Sequence, residues 1–175
     1  MGQIEYLSFD DILGYYADTI EQSGGGTKGV LSQDGIDKIL DFVQNDSYYP
    51  TFEDKLTYLV FAFCTGHYFE DGNKRISLVV GAHFLVKNKY AWAGFHFLPH
   101  MEAYIWHVAA GNIDKELLGR IIHFVISGEE LDENTKIDVI HAMEKSPLYK
   151  EWIFRRIPVH PFRSYPFTRF NFWQC

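Results

Sequence analysis

Two apolar runs separated by a dense polar decapeptide constrain this chain more than any other feature. Residues 56–65 read LTYLVFAFCT, residues 76–86 read ISLVVGAHFLV, and the stretch between them reads GHYFEDGNKR. Each run is too short to span a bilayer as a helix, and each is apolar on most faces, so both belong in a protein interior. A loop that joins two core elements cannot lie on a remote rim. Its charges must line a cleft or satisfy one another, because an unpaired buried charge is costly.

The decapeptide has the composition of an anion site. Gly72-Asn73-Lys74-Arg75 falls at the predicted start of the second apolar helix. Unpaired N–H groups and the helix dipole favour an anion there. Gly72 permits close backbone approach, and Lys74 and Arg75 add positive charge, arginine being suited to bidentate phosphate contact. The Asn73 amide can donate to an anion or cap the helix. Asp71 is placed to hold a magnesium ion carried by a nucleotide. His67, at the end of the preceding helix, is the natural base, because histidine is the side chain that exchanges protons most readily near neutral pH. Phe69 is expected to turn inward and pin the loop, and Glu70 to face solvent. The plain structural alternative is a turn, a cap and a solvated Lys-Arg pair.

The remaining pattern is helical. Ser8 caps a helix to about residue 20, and Ser-Gly-Gly-Gly-Thr at 23–27 breaks it. Ser32 caps a second helix, with Ile36, Ile39, Leu40 and Val43 on one face. Thr51 and Asp54 resemble a capping box before a third helix over 52–66, and a fourth runs over 73–88. Pro99 suits the first turn of a fifth helix, to about 109. Two more are expected, from Asp114 to about 126 and over 132–145. No strand pattern is convincing, so the class is all-α. Two domains of the chain are distinguished, a helical body over 1–126 and an extension over 127–175.

Charge divides the chain the same way. The net charge is −7, but residues 150–175 hold five bases and one acid, so the first 149 residues carry −11. Four of the six prolines fall beyond Ser146, three of them in that basic tail together with many aromatics. Two distant cysteines, Cys64 and Cys175, make no disulfide framework and no zinc spacing, which fits a reducing compartment. Cys64 reads as a small buried hydrophobe. His83 reads as a packing residue on the apolar helix. The first residues, MGQIEYLSFDD, carry acids where a secretion signal carries lysines, so a cytoplasmic location is expected.

His67-Tyr68-Phe69-Glu70-Asp71-Gly72-Asn73-Lys74-Arg75 resembles the signature of the Fic/Doc (Fido) family, H-x-F-x-[DE]-[GA]-N-[GK]-R, at seven positions. FDDILGYYADTI, SQDGIDKILDFV, SLVVGAHFLVKN and VAAGNIDKELLGRI are similar to the Doc, or death-on-curing, branch, over roughly 4–126. The resemblance implies an all-helical fold around a central helix pair, with ATP and Mg2+ bound at the loop. It implies His67 as general base, Asp71 as metal ligand, Asn73 as phosphate binder, and Gly72, Lys74 and Arg75 completing the anion hole. In Doc the γ-phosphate passes to elongation factor Tu; in the AMP-transferring Fic branch the α-phosphate is attacked.

Lys74 and Leu78 stand where AMP-transferring proteins usually have glycine and a second arginine, which favours Doc-type phosphotransfer, while Gly72 is a Fic-like choice where Doc has alanine. The segment 45–52 is expected to form a short flap that presents the target peptide, with Tyr48 and Tyr49 covering it; the alternative is a connection with two packed tyrosines. Glu133-Asn134 lacks the serine or threonine of an inhibitory helix, having Glu129 four residues earlier, so the resemblance implies a separate antitoxin. The tail has three readings: nucleic-acid contact, docking of a partner or a second copy, and folding back onto the acidic body, the last preferred. A helical interaction module without catalysis is the competing account of the whole chain. Neither nucleic acid nor membrane is expected as a partner.

Overall fold

The computed structural model describes residues 3–24, 26 and 29–146. Seven α-helices are present among them: α1 (Phe9–Gln22), α2 (Gln33–Phe42), α3 (Phe52–Thr65), α4 (Asn73–Lys87), α5 (Ala91–Ala109), α6 (Lys115–Ser127) and α7 (Glu133–Glu144). Among the described residues there is no strand, only an isolated antiparallel bridge between Val30 and Phe69. The class is all-α, as expected. No described helix is long and apolar enough to cross a membrane.

Capping sets most of the boundaries. Ser8 accepts from the Asp11 N–H while Asp11 accepts from Ser8 N–H, a complete capping box, and Thr51 and Asp54 repeat it for α3. Aspartate in place of the usual glutamate is therefore no obstacle. Asp114 and Asp132 cap α6 and α7. Gly128 closes α6 in the left-handed conformation, at φ 74°, that glycine adopts without strain.

The fifth helix begins earlier than expected, at Ala91, with Pro99 in its interior. Proline removes one backbone donor, and here it lies on the exposed side of the helix. The true start has no side-chain cap, which is why the sequence pattern misses it.

Helices α3 and α4 form the central pair. Phe52, at the start of α3, stacks on Phe84, near the end of α4, with ring centroids 5.0 Å apart, so the two run antiparallel. In α4, Ile76, Val80, Phe84 and Leu85 are all fully buried, and each contributes about 1.5–3 kcal/mol by leaving water. α5 can approach α4 closely because of two glycines. A Cβ on Gly81 would stand 2.6 Å from the Phe97 ring, and one on Gly94 would stand 3.0 Å from the Ala82 carbonyl oxygen.

Lys55 places a charge inside this core. Lys55 is fully buried, and its Nζ donates to the Val43 carbonyl at 3.0 Å and to Asp46 at 2.7 Å. Burial alone would lower its pKa, but the Asp46 carboxylate and the Tyr6 side chain outweigh it and the value is raised. The ammonium thus ties the 43–46 turn to α3. Lys55→Met keeps the volume but leaves the Val43 carbonyl without a donor. We expect a loss of about 1–3 kcal/mol, read from urea unfolding midpoints.

At the other side, Asp11 joins α1 to α4 through Lys87 at 3.0 Å. The Ser8 N–H and Lys87 hold the Asp11 carboxyl below its usual range. Its folded pKa is depressed, so its contribution is complete above the unfolded value of about 3.9 and is lost as pH falls through the folded value. Asp11→Asn is therefore expected to be less stable than the parent at neutral pH, with the gap closing in acid melts below about pH 4.

Candidate functional site

The loop between α3 and α4 is held by two left-handed residues and one ring. Gly66 ends α3, and His67 follows with φ 49°, while Gly72 precedes α4 with φ 80°. A non-glycine residue with positive φ is uncommon and turns the chain sharply out of the helix. Between these turns, Phe69 is buried and stacks on Tyr16 of α1, with centroids 4.1 Å apart. The expected inward turn of Phe69 is observed, and Glu70 is exposed, also as expected.

Asn73 departs from expectation. Its Nδ2 donates to the Phe69 carbonyl at 2.8 Å, and its Oδ1 accepts from the Phe69 N–H at 3.1 Å. Both ends of the amide are committed to the loop backbone, so Asn73 acts as a clamp in this structure rather than as a free phosphate donor. A primary amide matches the donor and acceptor of a single peptide residue, and this geometry uses that match.

Arg75 is also engaged. It is buried, and it donates to Asp71 Oδ2 at 2.9 Å and to the hydroxyl of Ser23 at the end of α1. Asp71 in turn accepts from the Gly72 N–H at 2.6 Å and keeps half its side chain exposed. Lys74 is half-exposed and His67 is exposed. No side chain caps α4, and its first turn holds no acid. The site thus gathers an uncapped helix start, a lysine, an arginine, one half-exposed carboxylate and an exposed imidazole within nine consecutive residues.

Residues 29–31 lie alongside this loop. Leu31 N–H donates to the Tyr68 carbonyl at 2.8 Å, and Glu70 N–H donates to the Gly29 carbonyl at 2.9 Å. The segment expected to act as a flap is elsewhere. Residues 45–50 precede α3, whereas the loop leaves its far end; for a helix of 14 residues the separation is about 20 Å. Tyr49 is buried against Tyr58 at 4.3 Å, and Tyr48 is exposed beside Phe42. The structure does not bring either tyrosine to the loop. They belong to a packed helix connection, in which Phe42 of α2 meets Tyr58 of α3 edge-on at 5.8 Å and Lys55 bonds to the 43–46 turn. Ser23, Tyr16 and 29–31 were not legible as parts of the site.

Residues 6–85 match the model of the Fic/DOC family. The match takes in α1 to α4 up to Leu85, including the loop and every residue that braces it. No curated protein and no solved structure matched the chain.

Other candidates have structural explanations. His83 is exposed on α4 and stacks on Tyr15 at 3.8 Å, and partial desolvation of its ring lowers its pKa. Cys64 is buried, and burial pushes its thiol up to about 11. Glu133 is exposed and pairs with Lys136 at 2.9 Å within α7. Among the described residues no group of three or more His, Cys, Asp and Glu side chains is placed to hold a metal. Cys175 lies outside the described residues.

The clamp yields a direct test. Asn73→Ala removes both bonds to Phe69 and is expected to cost about 1–3 kcal/mol and to speed hydrogen exchange at the Phe69 amide. Asn73→Asp keeps the acceptor and loses the donor, so its effect on that amide should be smaller. Equal protection of the Phe69 amide in parent and Asn73→Ala proteins would remove the clamp from the account.

Proposed function

We propose that this chain is a nucleotide-dependent protein transferase of the Doc type, moving phosphate from ATP to a hydroxyl side chain of a target protein. The observation that carries the reading is the uncapped start of α4, with Lys74 and Arg75 in its first turn, beside an exposed histidine and a half-exposed carboxylate. A triphosphate suits such a helix end. The match of 6–85 to the Fic/DOC family supports the same reading.

The donor set fits magnesium only as part of a nucleotide complex. Asp71 supplies a single carboxylate, and magnesium bound by one carboxylate keeps phosphate oxygens and waters as its other ligands. When bound, the ion would neutralise phosphate charge. Gly72, Lys74 and Arg75 would hold the phosphates. Arg75 can serve them because its present carboxylate partner, Asp71, is the residue a metal would engage. Asn73 contributes by fixing the loop.

His67 then removes the proton of the target hydroxyl as that oxygen bonds to the γ-phosphorus. The bond from phosphorus to the bridging oxygen breaks, ADP leaves, and the proton stays on the imidazole until solvent takes it. Positioned bases of this kind contribute about 10²–10⁴-fold. Leu78, where a second arginine would extend the clamp for AMP transfer, is buried in the core. That favours attack on the γ-phosphate. The target is a protein, with a translation factor the first candidate, and a separate antitoxin is the expected control.

Incubation with a cell extract and ATP labelled at the α or γ position tests this. The γ label is expected to reach a protein, with a mass gain of one phosphate. A gain of an adenylyl group, with transfer of the α label, would establish the AMP-transferring alternative instead. His67→Ala is expected to abolish transfer while leaving nucleotide affinity within about twofold, because the base acts on the attacking hydroxyl. Undiminished turnover by that variant would refute the assignment. Expression of the parent, but not of His67→Ala, is expected to arrest growth.

A further inference from the structure

Helix α5 is apolar on both sides. Its inner face, with Phe97, Met101, Ile105 and Val108, is buried. Its outer face carries Trp92, Phe95, Pro99 and Trp106, spaced three, four and seven residues apart, which places them in one stripe. Trp92 is 59% exposed, Phe95 76% and Trp106 37%, and Pro99 is exposed too. The only formal charge in the 19 residues, histidines aside, is Glu102. A row of exposed aromatics of this length on a helix marks a contact surface.

We propose that residues 147–175 of this chain dock along the outer stripe of α5. Three observations select that occupant. The first is where the described chain ends. Lys145 shares a groove with Asn112 and Asp114, just past the C-terminal end of α5, and Ser146 is buried there. The segment therefore begins beside the Trp106 end of the stripe. The second is reach. α5 is about 28 Å long at 1.5 Å per residue, and 29 residues exceed that length even when only partly extended.

The third is charge and composition. Residues 129–146 hold six carboxylates and two lysines, a net −4, while 150–175 hold a net +4. The acidic stretch starts at the opposite end of the stripe, where a Cβ on Gly128 would lie 3.3 Å from the Trp92 ring, and Glu129 and Glu130 are exposed beyond it. Aromatics of the segment meet the aromatic row, and its arginines meet the acids. Stacked aromatic pairs and arginine–aromatic contacts are each favourable, and they suit a peptide held on its own body.

Limited trypsin digestion of the full chain, at a concentration where it is monomeric, tests this through Arg155, Arg156, Arg163 and Arg169. Cleavage at these sites is expected to be slow, and Phe95→Asp is expected to speed it at least tenfold with unchanged helical circular dichroism. Phe95 is exposed, so the variant should fold. Equal rates in parent and variant would overturn the proposal. So would protection that grows with protein concentration, which would seat a second copy on the stripe. An independent reading uses Cys175, which a nitroxide reagent should label selectively because Cys64 is buried. Broadening of amides along 92–106 is expected, and broadening elsewhere, or none, would overturn the proposal.

Discussion

The Asn73–Phe69 clamp is the interaction on which the rest of the site depends. Two buried helices are joined by only seven residues, 66–72, and that connection carries four ionisable side chains. Such a loop keeps one shape only if its backbone polar groups have partners and its apolar side chain has somewhere to go. Asn73 satisfies both backbone groups of Phe69, and Tyr16 receives the ring. With the middle of the loop fixed inward, His67 and Glu70 on either side are directed outward. The exposure of the imidazole is thus a consequence of burying a neighbouring ring.

Electrostatics links this loop to the first helix. Arg75 is buried between Asp71 of the loop and Ser23 of α1. A guanidinium can be buried at tolerable cost when its donors are met on more than one side. Here the partners come from two elements that the core packing already brings together, since Tyr16 and Ile20 of α1 reach the same loop. On the proposed function, the charge that an incoming phosphate would need is stored in an ion pair with the carboxylate proposed to engage a magnesium ion. Binding at this site would exchange partners within a prepared cluster rather than create charge in the interior.

Much of this was legible in the sequence where a residue's neighbours along the chain decide its role. The all-α class follows from apolar periodicity and from caps such as Ser8, Ser32 and Thr51. Phe69 could be read as buried because only polar residues flank it. What escaped depends on partners distant in sequence. Ser23 carries no local sign that it will face Arg75, fifty-two positions away. Asn73 at a helix start reads equally as a cap or an anion donor, and only the path of the loop decides that its amide meets Phe69. The start of α5 escaped because no cap marks it, and Pro99 drew the boundary to itself. Tyr48 and Tyr49 are adjacent in sequence to the central helix but lie at its wrong end, a distinction that periodicity cannot make. Of the extension over 127–175, residues 147–175 lie outside the described residues.

The central claim is that the start of α4 receives a triphosphate. Amide chemical shifts recorded by nuclear magnetic resonance during titration with magnesium and ATP address it residue by residue. The largest changes are expected at Gly72, Asn73, Lys74 and Arg75, with a saturating dependence on nucleotide and a smaller change at Ser23 as Arg75 alters its contacts. Shifts that leave these four amides unmoved at millimolar nucleotide, or that centre on another part of the fold, would contradict it.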